Sequence, residues 1–289
     1  MVKKLSQLYQ EARHALLKTE EPQYAGMCAR NLLCHAAGIP AEEFFTRQEE
    51  YTSDRVCREL EGYVARVAAG EPLAYVLGEW EFYGMKLFVE PTVLIPRDDT
   101  CAVTELAIKK ALFLDQSPRI LDLCTGSGCI GLAVANRVRD ARVTLADISR
   151  EALAVAKKNI TLHHLSARVS CVTADALSAP PAYLGKFDLI VSNPPYVTAG
   201  EMETLPPSVK NYEPSLALLG GADGLDFYRA IGKHYAGALK PGGFLALEFG
   251  MGQGGSVCEI LEENGYTLLE RAKDYRGIER AVIARYKEG

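Results

Sequence analysis

The stretch RILDLCTGSGCIG, residues 119–131, decides the fold. Its first six residues are mostly apolar, which predicts a buried strand, and the glycines at 126, 128 and 131 then match the pattern GxGxxG. A tight turn of this kind lets the backbone approach a ligand closely and points the N–H groups of the next helix at it. The pattern alone is a weak signal. Two interpretations stay open, a nucleotide-like ligand and a structural turn without one.

The sequence on both sides of this turn alternates between short apolar strands and helices. This alternation predicts an α/β domain at residues 97–289, with a mostly parallel sheet covered on both faces. Ligands bind such a sheet at the carboxyl ends of its strands. A turn is expected at Lys240-Pro241-Gly242-Gly243. The expected strands are 119–124, 142–148, 168–175, 187–193, 244–249, 266–272 and 279–286.

The first part of the chain has a different pattern and predicts a separate domain at residues 1–78. Apolar residues recur there at helical spacing, and an N-cap of one helix is expected at Thr52-Ser53-Asp54, which indicates a small helical bundle. Residues 79–96 are rich in aromatic and β-branched residues, with Gly84 at a turn position. They predict a β-hairpin that links the two domains.

Composition excludes several classes of protein. The 289 residues are 48% hydrophobic and 24% charged, which is typical of a soluble globular protein, and no apolar run reaches the length of a membrane helix. A net charge of -5 argues against a nucleic-acid partner held by phosphate neutralisation. Eight scattered cysteines without a CxxC pair indicate reduced thiols rather than disulfides or zinc. With no apolar signal segment at the N-terminus, the sequence predicts a cytoplasmic protein.

Carboxylates follow the next two predicted strands. Asp147 can accept the two hydroxyls of a ribose, and Asp175 can accept from the amino group of an adenine. Each residue has a simpler interpretation as a helix cap or a turn residue. Because both lie at the ends of strands that follow the glycine-rich turn, the ligand interpretation is favoured.

The fourth strand ends in Asn193-Pro194-Pro195-Tyr196. The two prolines have no N–H, so this corner offers hydrogen-bond acceptors, the side-chain oxygen of Asn193 and the carbonyl of Pro194. Two acceptors suit an incoming NH₂ group, which has two donors. The ring of Tyr196 offers a flat surface to a planar amide or base.

An Asn-Pro-Pro-Tyr tetrapeptide downstream of a glycine-rich turn resembles the amino-methylating branch of the class I S-adenosylmethionine-dependent methyltransferases. Over nearly the whole chain, the sequence resembles the release factor glutamine methyltransferases, the PrmC/HemK family. The segments that carry this resemblance are PLAYVLGEWEFYG (72–84), LIPR (94–97), YEP (212–214), LLGGADGLDFYR (218–229), LKPGGFLALEFG (239–250) and the pairs Asp274-Tyr275 and Glu279-Arg280. The resemblance implies a Rossmann-like class I methyltransferase domain that methylates the glutamine of the Gly-Gly-Gln loop in class I peptide-chain release factors.

The resemblance also implies roles for single residues. S-adenosyl-L-methionine would be the cofactor and S-adenosyl-L-homocysteine its product, with no metal. The cofactor-binding residues would be Thr125, Gly126, Ser127, Gly128, Asp147, Asp175, Ala176 and Asn193. Substrate would contact Asn193, Pro194, Pro195 and Tyr196, of which Asn193, Pro194 and Tyr196 would be catalytic. The helical domain would contact the release factor, and we expect a monomer that binds neither nucleic acid nor membrane.

Two departures from the family pattern affect the site. The family usually has Pro-Arg-Pro-(Glu/Asp)-Thr-Glu where this chain has PRDDTC at 96–101, and Cys124 stands where a glycine is common. The first departure leaves open how residues 97–101 meet the substrate. The second exchanges one small residue for another.

Four other functions fit parts of the sequence. A DNA adenine N6-methyltransferase uses the same tetrapeptide on a flipped base, but the acidic charge disfavours it. Glutamine methylation of a ribosomal protein is poorly separated from the release factor assignment. An NAD-dependent oxidoreductase fits the glycines and Asp147 but leaves residues 193–196 unexplained. A non-catalytic binding module leaves the combined cofactor and substrate residues unexplained.

Overall fold

The computed structural model describes residues 3–114 and 117–287, which form two compact units. One unit comprises the residues up to Gly78 together with Pro207–Tyr212, and the other comprises Glu79–Pro206 and the residues from Glu213 onward. Within the described residues, the helices are α1 (Leu5–Leu16), α2 (Pro22–Ala37), α3 (Phe44–Arg47), α4 (Asp54–Ala68), α5 (Leu73–Leu77), α6 (Cys101–Leu112), α7 (Cys129–Arg137), α8 (Arg150–Leu162), α9 (Ala199–Met202), α10 (Pro207–Lys210), α11 (Asp226–His234) and α12 (Gly254–Glu263). The strands are β1 (Glu79–Phe82), β2 (Met85–Phe88), β3 (Arg119–Leu123), β4 (Arg142–Asp147), β5 (Val169–Thr173), β6 (Phe187–Ser192), β7 (Leu239–Glu248), β8 (Tyr266–Lys273) and β9 (Glu279–Tyr286).

The helical unit is organised by α1, α2 and α4, which pack against one another. Their apolar faces bury Leu16, Leu32 and Leu33 completely. The helix α4 begins after Ser53, whose side chain accepts a hydrogen bond from the backbone N–H of Val56, so the predicted N-cap is present. The helical character predicted for this part of the chain is confirmed. No helix in the described residues combines the length and the apolar character that a membrane crossing requires.

The larger unit is built around a seven-stranded sheet with the order β5-β4-β3-β6-β7-β9-β8. The strands β3 to β7 run parallel, and β9 pairs antiparallel with both β7 and β8. Successive residues of a strand face opposite sides of the sheet, so Ile120 packs with α6, α7 and α8, whereas Leu121 packs with α11 and α12. The sheet is therefore covered on both faces, and the predicted α/β fold class is confirmed.

Two local elements differ from the prediction. The hairpin is shorter than expected, because only β1 and β2 pair, through a two-residue turn in which Tyr83 and Gly84 both have positive φ. Residues 89–96, which contain Pro91, form a turn and a loop instead of strand. The predicted turn at Lys240–Gly243 is wrong, because β7 already begins at Leu239 and passes through this segment with a shift of register against β6.

Candidate active site

The carboxyl ends of β3, β4, β5 and β6 surround a cavity of about 340 Å³. In the sheet, β3 lies between β4 and β6, so the chain turns in opposite directions on its two sides. In open α/β sheets, this switch point is where ligands bind. The cavity wall includes Gly126 after β3, Asp147 after β4, Asp175 and Ala176 after β5, and Asn193 and Pro195 after β6. The structure thus brings together predicted residues from four strand ends.

The glycine-rich turn contributes Cys124 and Gly126 to the cavity wall and is held by Asp122. The Oδ2 atom of Asp122 accepts hydrogen bonds from Thr125 Oγ1 at 2.6 Å and from the Gly131 N–H at 2.9 Å. Gly131 has no room for a side chain, since a Cβ there would lie 2.3 Å from Leu145 Cδ2. The turn is therefore closely packed against its own sheet.

Three predicted cofactor residues of this turn do not line the cavity. Thr125 and Ser127 are buried, at 4% and 2% exposure, and the Thr125 side chain is directed to Asp122. Gly128 precedes α7 with a φ of +88° and packs against Leu132 and Leu145. The backbone conformation decides this outcome, because positive φ values at positions 124, 126 and 128 turn the chain away from the course of a regular strand.

Asp122 is a residue that the sequence analysis missed. It is fully buried, its Oδ1 atom has no hydrogen-bond partner among the described residues, and burial raises its pKa to about 7. Its position shortly before the first glycine of the turn was the available signal. The sequence alone does not show that β3 ends at Leu123. Without that end, an acid at position 122 is not expected to face the turn.

Asp147 acts as a turn and cap residue, one of the two interpretations that the sequence left open. Its Oδ2 accepts from the Gly126 N–H and its Oδ1 from the Ser149 N–H, each at 2.9 Å, so it orders the turn and the start of α8. It also lies on the cavity wall. Burial raises its pKa, and backbone hydrogen bonds from Gly126, Ser149 and Ile148 oppose that shift. A carboxylate has about four acceptor sites, so about one or two remain for a ligand.

Asp175 likewise forms a turn and lines the cavity. Its side chain accepts from the Leu177 N–H at 2.9 Å and from Ser178 Oγ at 2.7 Å. Leu177 and Ile148 also line the cavity and are 46% and 49% exposed. Each follows a strand-end acid within two residues, but the sequence analysis missed both because apolar residues are usually read as core. Together with Ala176 they offer an apolar surface that suits a planar ring.

The charge of the wall distinguishes between possible ligands. Within the described residues, the wall contains Asp147, Glu151 and Asp175 but no lysine or arginine. Such a wall favours a cation over the paired phosphates of a dinucleotide. It also supplies a carboxylate for hydroxyl groups and an apolar surface for a ring. The residues therefore fit S-adenosylmethionine, which carries a sulfonium, a ribose and an adenine.

The Asn-Pro-Pro-Tyr corner is held by close contacts with glycines. Asn193 and Pro195 line the cavity, whereas Pro194 and Tyr196 do not. A Cβ on Gly220 would lie 2.6 Å from Tyr196 Cα, and a Cβ on Gly224 would lie 2.3 Å from the Tyr196 carbonyl oxygen. These contacts explain Gly220 and Gly224, which let the chain pass directly against the corner. The substrate residues of the resemblance are thus only partly on the cavity wall.

The divergent segment 97–101 contacts the rest of the site through three of its side chains. Arg97 forms an ion pair with Glu213, which also accepts from the Ile95 N–H at 3.1 Å. Asp99 pairs with Arg276 and Arg280, and Thr100 Oγ1 accepts from Asn193 Nδ2 at 3.2 Å. The departures from the family pattern at Asp98 and Cys101 therefore leave these contacts intact. No group of three or more His, Cys, Asp or Glu side chains is placed to hold a metal in the described residues.

Comparisons with known proteins agree with this geometry. The family model "Methyltransferase small domain" matches residues 103–205, and "PrmC N-terminal domain" matches residues 7–78. Similar proteins include release factor glutamine methyltransferases of Clostridium acetobutylicum (38% identity, covering 83% of this chain and 84% of the relative), Geobacter sulfurreducens (39%, 88% and 87%) and Vibrio cholerae (37%, 93% and 94%). A methyltransferase structure from Pyrococcus furiosus has the same fold, with a TM-score of 0.52 at 19% identity over 79% of this chain and all of that one. The chain therefore belongs to the release factor glutamine methyltransferase family.

Proposed function

We propose that the protein transfers a methyl group from S-adenosylmethionine to the side-chain nitrogen of the glutamine in the Gly-Gly-Gln loop of class I release factors. One observation carries this proposal. Asn193, an amide at the corner that suits an incoming NH₂ group, lies on the wall of the same acid-lined cavity as Asp147 and Asp175. A cofactor in the cavity and an amide at the corner would therefore meet at Asn193.

The proposed roles on the cofactor side follow from the wall. Asp147 accepts from the ribose hydroxyls with the acceptor sites that its backbone donors leave open. Ala176, Ile148 and Leu177 pack on the adenine, and Asp175 accepts from its amino group. Gly126 and Cys124 form part of the cavity wall. Thr125, Ser127 and Gly128 act by shaping the turn.

The proposed roles on the substrate side follow from the chemistry of an amide. The nitrogen of an amide is a poor nucleophile, because its lone pair is delocalised into the carbonyl. The side-chain oxygen of Asn193 and the carbonyl of Pro194 accept from its two N–H groups and so aim the nitrogen. They also stabilise the positive charge that develops there during transfer. Bound S-adenosylmethionine supplies a methyl group that its sulfonium makes electrophilic.

Pro195 and Tyr196 complete the substrate side of this proposal. Pro194 and Pro195 add no N–H donors that would compete for the acceptors. Tyr196, fixed by Gly220 and Gly224, packs against the plane of the glutamine amide.

The helical unit is proposed to bind the release factor outside its Gly-Gly-Gln loop. The match of residues 7–78 to the PrmC N-terminal domain supports this role. Release factors work on the ribosome, so we place the reaction in the cytoplasm. Deleting the helical unit should raise the KM for the release factor more than it changes the affinity for the cofactor.

Transfer of labelled methyl tests the proposal directly. The protein should label a class I release factor and should not label a variant whose Gly-Gly-Gln glutamine is replaced. Asn193→Ala should lower the single-turnover rate about 10²–10³-fold, as expected for deletion of one preorganised transition-state partner. Cofactor affinity by calorimetry should change much less. Equal labelling of the glutamine-replaced factor would refute the substrate. Stronger labelling of ribosomal proteins or of duplex DNA would favour the corresponding alternative.

A further inference from the structure

Asn193 is held from behind by two buried side chains, Thr100 and Glu248. Thr100 precedes α6 and Glu248 is the last residue of β7, and each is 2% exposed. The Nδ2 atom of Asn193 donates to Thr100 Oγ1 at 3.2 Å. Both Thr100 and Asn193 stabilise the ionised form of Glu248 by hydrogen bonding. The three side chains therefore form one small network behind the cavity wall.

Glu248 is nonetheless in an environment that favours its neutral form. Burial raises its pKa to about 8 against the effect of these hydrogen bonds, and Asp99 raises it further. Its Oε2 atom has no hydrogen-bond partner among the described residues. Because Glu248 is 2% exposed, it has no surface with which to touch a substrate. Whatever it contributes must pass through its neighbours.

The network decides which atom of the Asn193 amide faces the cavity. The oxygen and nitrogen of an asparagine amide have nearly the same shape, so packing alone selects neither orientation. A threonine hydroxyl can both donate and accept, and on its own Thr100 would accept either orientation. Hydrogen bonding from both Thr100 and Asn193 favours the ionised form of Glu248, so both residues present hydrogen atoms to this carboxyl group. The Asn193 atom that faces Thr100 and Glu248 is therefore Nδ2, which donates to Thr100 Oγ1. The oxygen Oδ1 is then directed to the other side.

We propose that Thr100 and Glu248 are positioning residues that together hold the Asn193 amide with its Oδ1 available to the substrate. This inference rests on the proposed function, in which that oxygen accepts from the glutamine amide. It also gives a role to the segment 97–101. Thr100 is the residue of that segment that reaches Asn193.

Thr100→Val is the sharpest test, because it removes the hydroxyl while keeping the shape of the side chain. We expect the single-turnover rate of methyl transfer to fall about 10–100-fold, the usual range for partners that orient a functional side chain. Cofactor affinity by calorimetry should stay within about twofold of wild type, since most of the proposed cofactor contacts lie at other strand ends. Thr100→Ser should recover most of the rate, because it restores the hydroxyl.

Two further variants separate positioning from folding. Thr104→Val makes the same change one turn further along α6, where the buried hydroxyl donates to the Thr100 carbonyl at 2.8 Å. It should lower thermal stability as Thr100→Val does, with a much smaller effect on rate. Glu248→Gln keeps an acceptor for Thr100 and should retain more activity than Glu248→Met, which has none.

A second readout does not depend on the reaction. Among the six asparagines of the chain, the side-chain NH₂ resonance of Asn193 can be assigned after selective ¹⁵N labelling by its loss in Asn193→Asp. In the ligand-free protein, Thr100→Val should shift this resonance and speed its exchange with solvent, and Thr100→Ser should restore both.

A wild-type transfer rate or an unchanged Asn193 resonance in Thr100→Val would overturn the positioning role. A loss of cofactor affinity as large as the loss of rate would also overturn it, since that pattern indicates general damage. Failure of the wild-type protein to label any release factor would refute the proposed function instead. In that case the resonance of Asn193 alone decides whether the amide is held.

Discussion

Replacing Asp147 with alanine is expected to weaken cofactor binding and to loosen the turn after β3. The side chain accepts from the Gly126 and Ser149 N–H groups at 2.9 Å each, and the residue lies on the cavity wall. Asp147→Ala removes all acceptors of this side chain together. The affinity for S-adenosylmethionine and the stability of the ligand-free protein should therefore both fall.

The expected size of each effect follows from the contacts. Hydrogen bonds to a charged group contribute about 1.5–3 kcal/mol each, so loss of two ribose contacts amounts to about 3–6 kcal/mol at most. This range corresponds to roughly 10²–10⁴-fold in Kd, and access of water to the cavity places the result toward its lower end. The two freed N–H groups can also reach water, so the loss of stability should be about 1–2 kcal/mol.

Calorimetry with S-adenosylmethionine and S-adenosylhomocysteine measures the affinity, and thermal unfolding without ligand measures the stability. Glu151→Ala is the matched control, because Glu151 contributes the same charge to the cavity wall but accepts only from Ser149 Oγ, at 3.2 Å. It should change the affinity by less than about threefold, as expected for an exposed charge. If Asp147→Ala binds the cofactor no more weakly than Glu151→Ala, the ribose role is wrong and only the charge of the wall matters.

Three further predictions concern groups inside the larger unit. Gly131→Ala places a Cβ 2.3 Å from Leu145 Cδ2 and should lower the free energy of unfolding by about 1–3 kcal/mol. An unchanged midpoint of urea unfolding would show that the turn or Leu145 moves to make room for the Cβ. Since the pKa of Glu248 is about 8 in the folded protein and ordinarily near 4.5, the folded state retains a proton that the unfolded state releases between these values. The free energy of unfolding should therefore fall with rising pH across this window by up to about 1.4 kcal/mol per pH unit. Urea unfolding at pH 5 and pH 8 should show that Glu248→Gln lacks this part of the pH dependence. The same pH dependence in the wild type and in Glu248→Gln would contradict the assignment. Arg97→Met leaves the Glu213 side chain, which is 1% exposed, without its ion pair and should lower the free energy of unfolding by about 1–3 kcal/mol. A decrease below about 0.5 kcal/mol in urea unfolding would mean that the hydrogen bond from the Ile95 N–H is enough to stabilise the buried carboxylate.

The sequence predicted the fold well because its pattern has one simple solution. Short apolar runs that alternate with helices can bury both kinds of surface only in a covered, mostly parallel sheet. The errors occur where one local signal has two structural outcomes. Lys240-Pro241-Gly242-Gly243 has the composition of a turn, but the positive φ of Gly242 is accommodated inside β7 as an irregularity.

The candidate site was predictable only in part, for a related reason. A parallel sheet brings its strand ends to one edge, so the order of strands along the chain is enough to group Asp147, Asp175 and Asn193. Which side chains face the cavity depends on backbone angles, so the burial of Thr125 and Ser127 could not be predicted from the sequence. The buried acids were not predicted either, since an acid in a strand is ordinarily taken as a solvent-facing residue. Asp122 and Glu248 are of this kind.

The acceptor corner formed by Asn193 and Pro194 also has a consequence for the number of methyl groups transferred. A glutamine amide brings two N–H groups, and one for each acceptor is the match that we propose. Once the nitrogen carries a methyl group, it has a single N–H left. One acceptor of the corner then loses its donor, at a cost of about 1–3 kcal/mol for a desolvated group. The same corner that selects an unmodified amide should thus favour departure of the product and end the reaction at monomethylation.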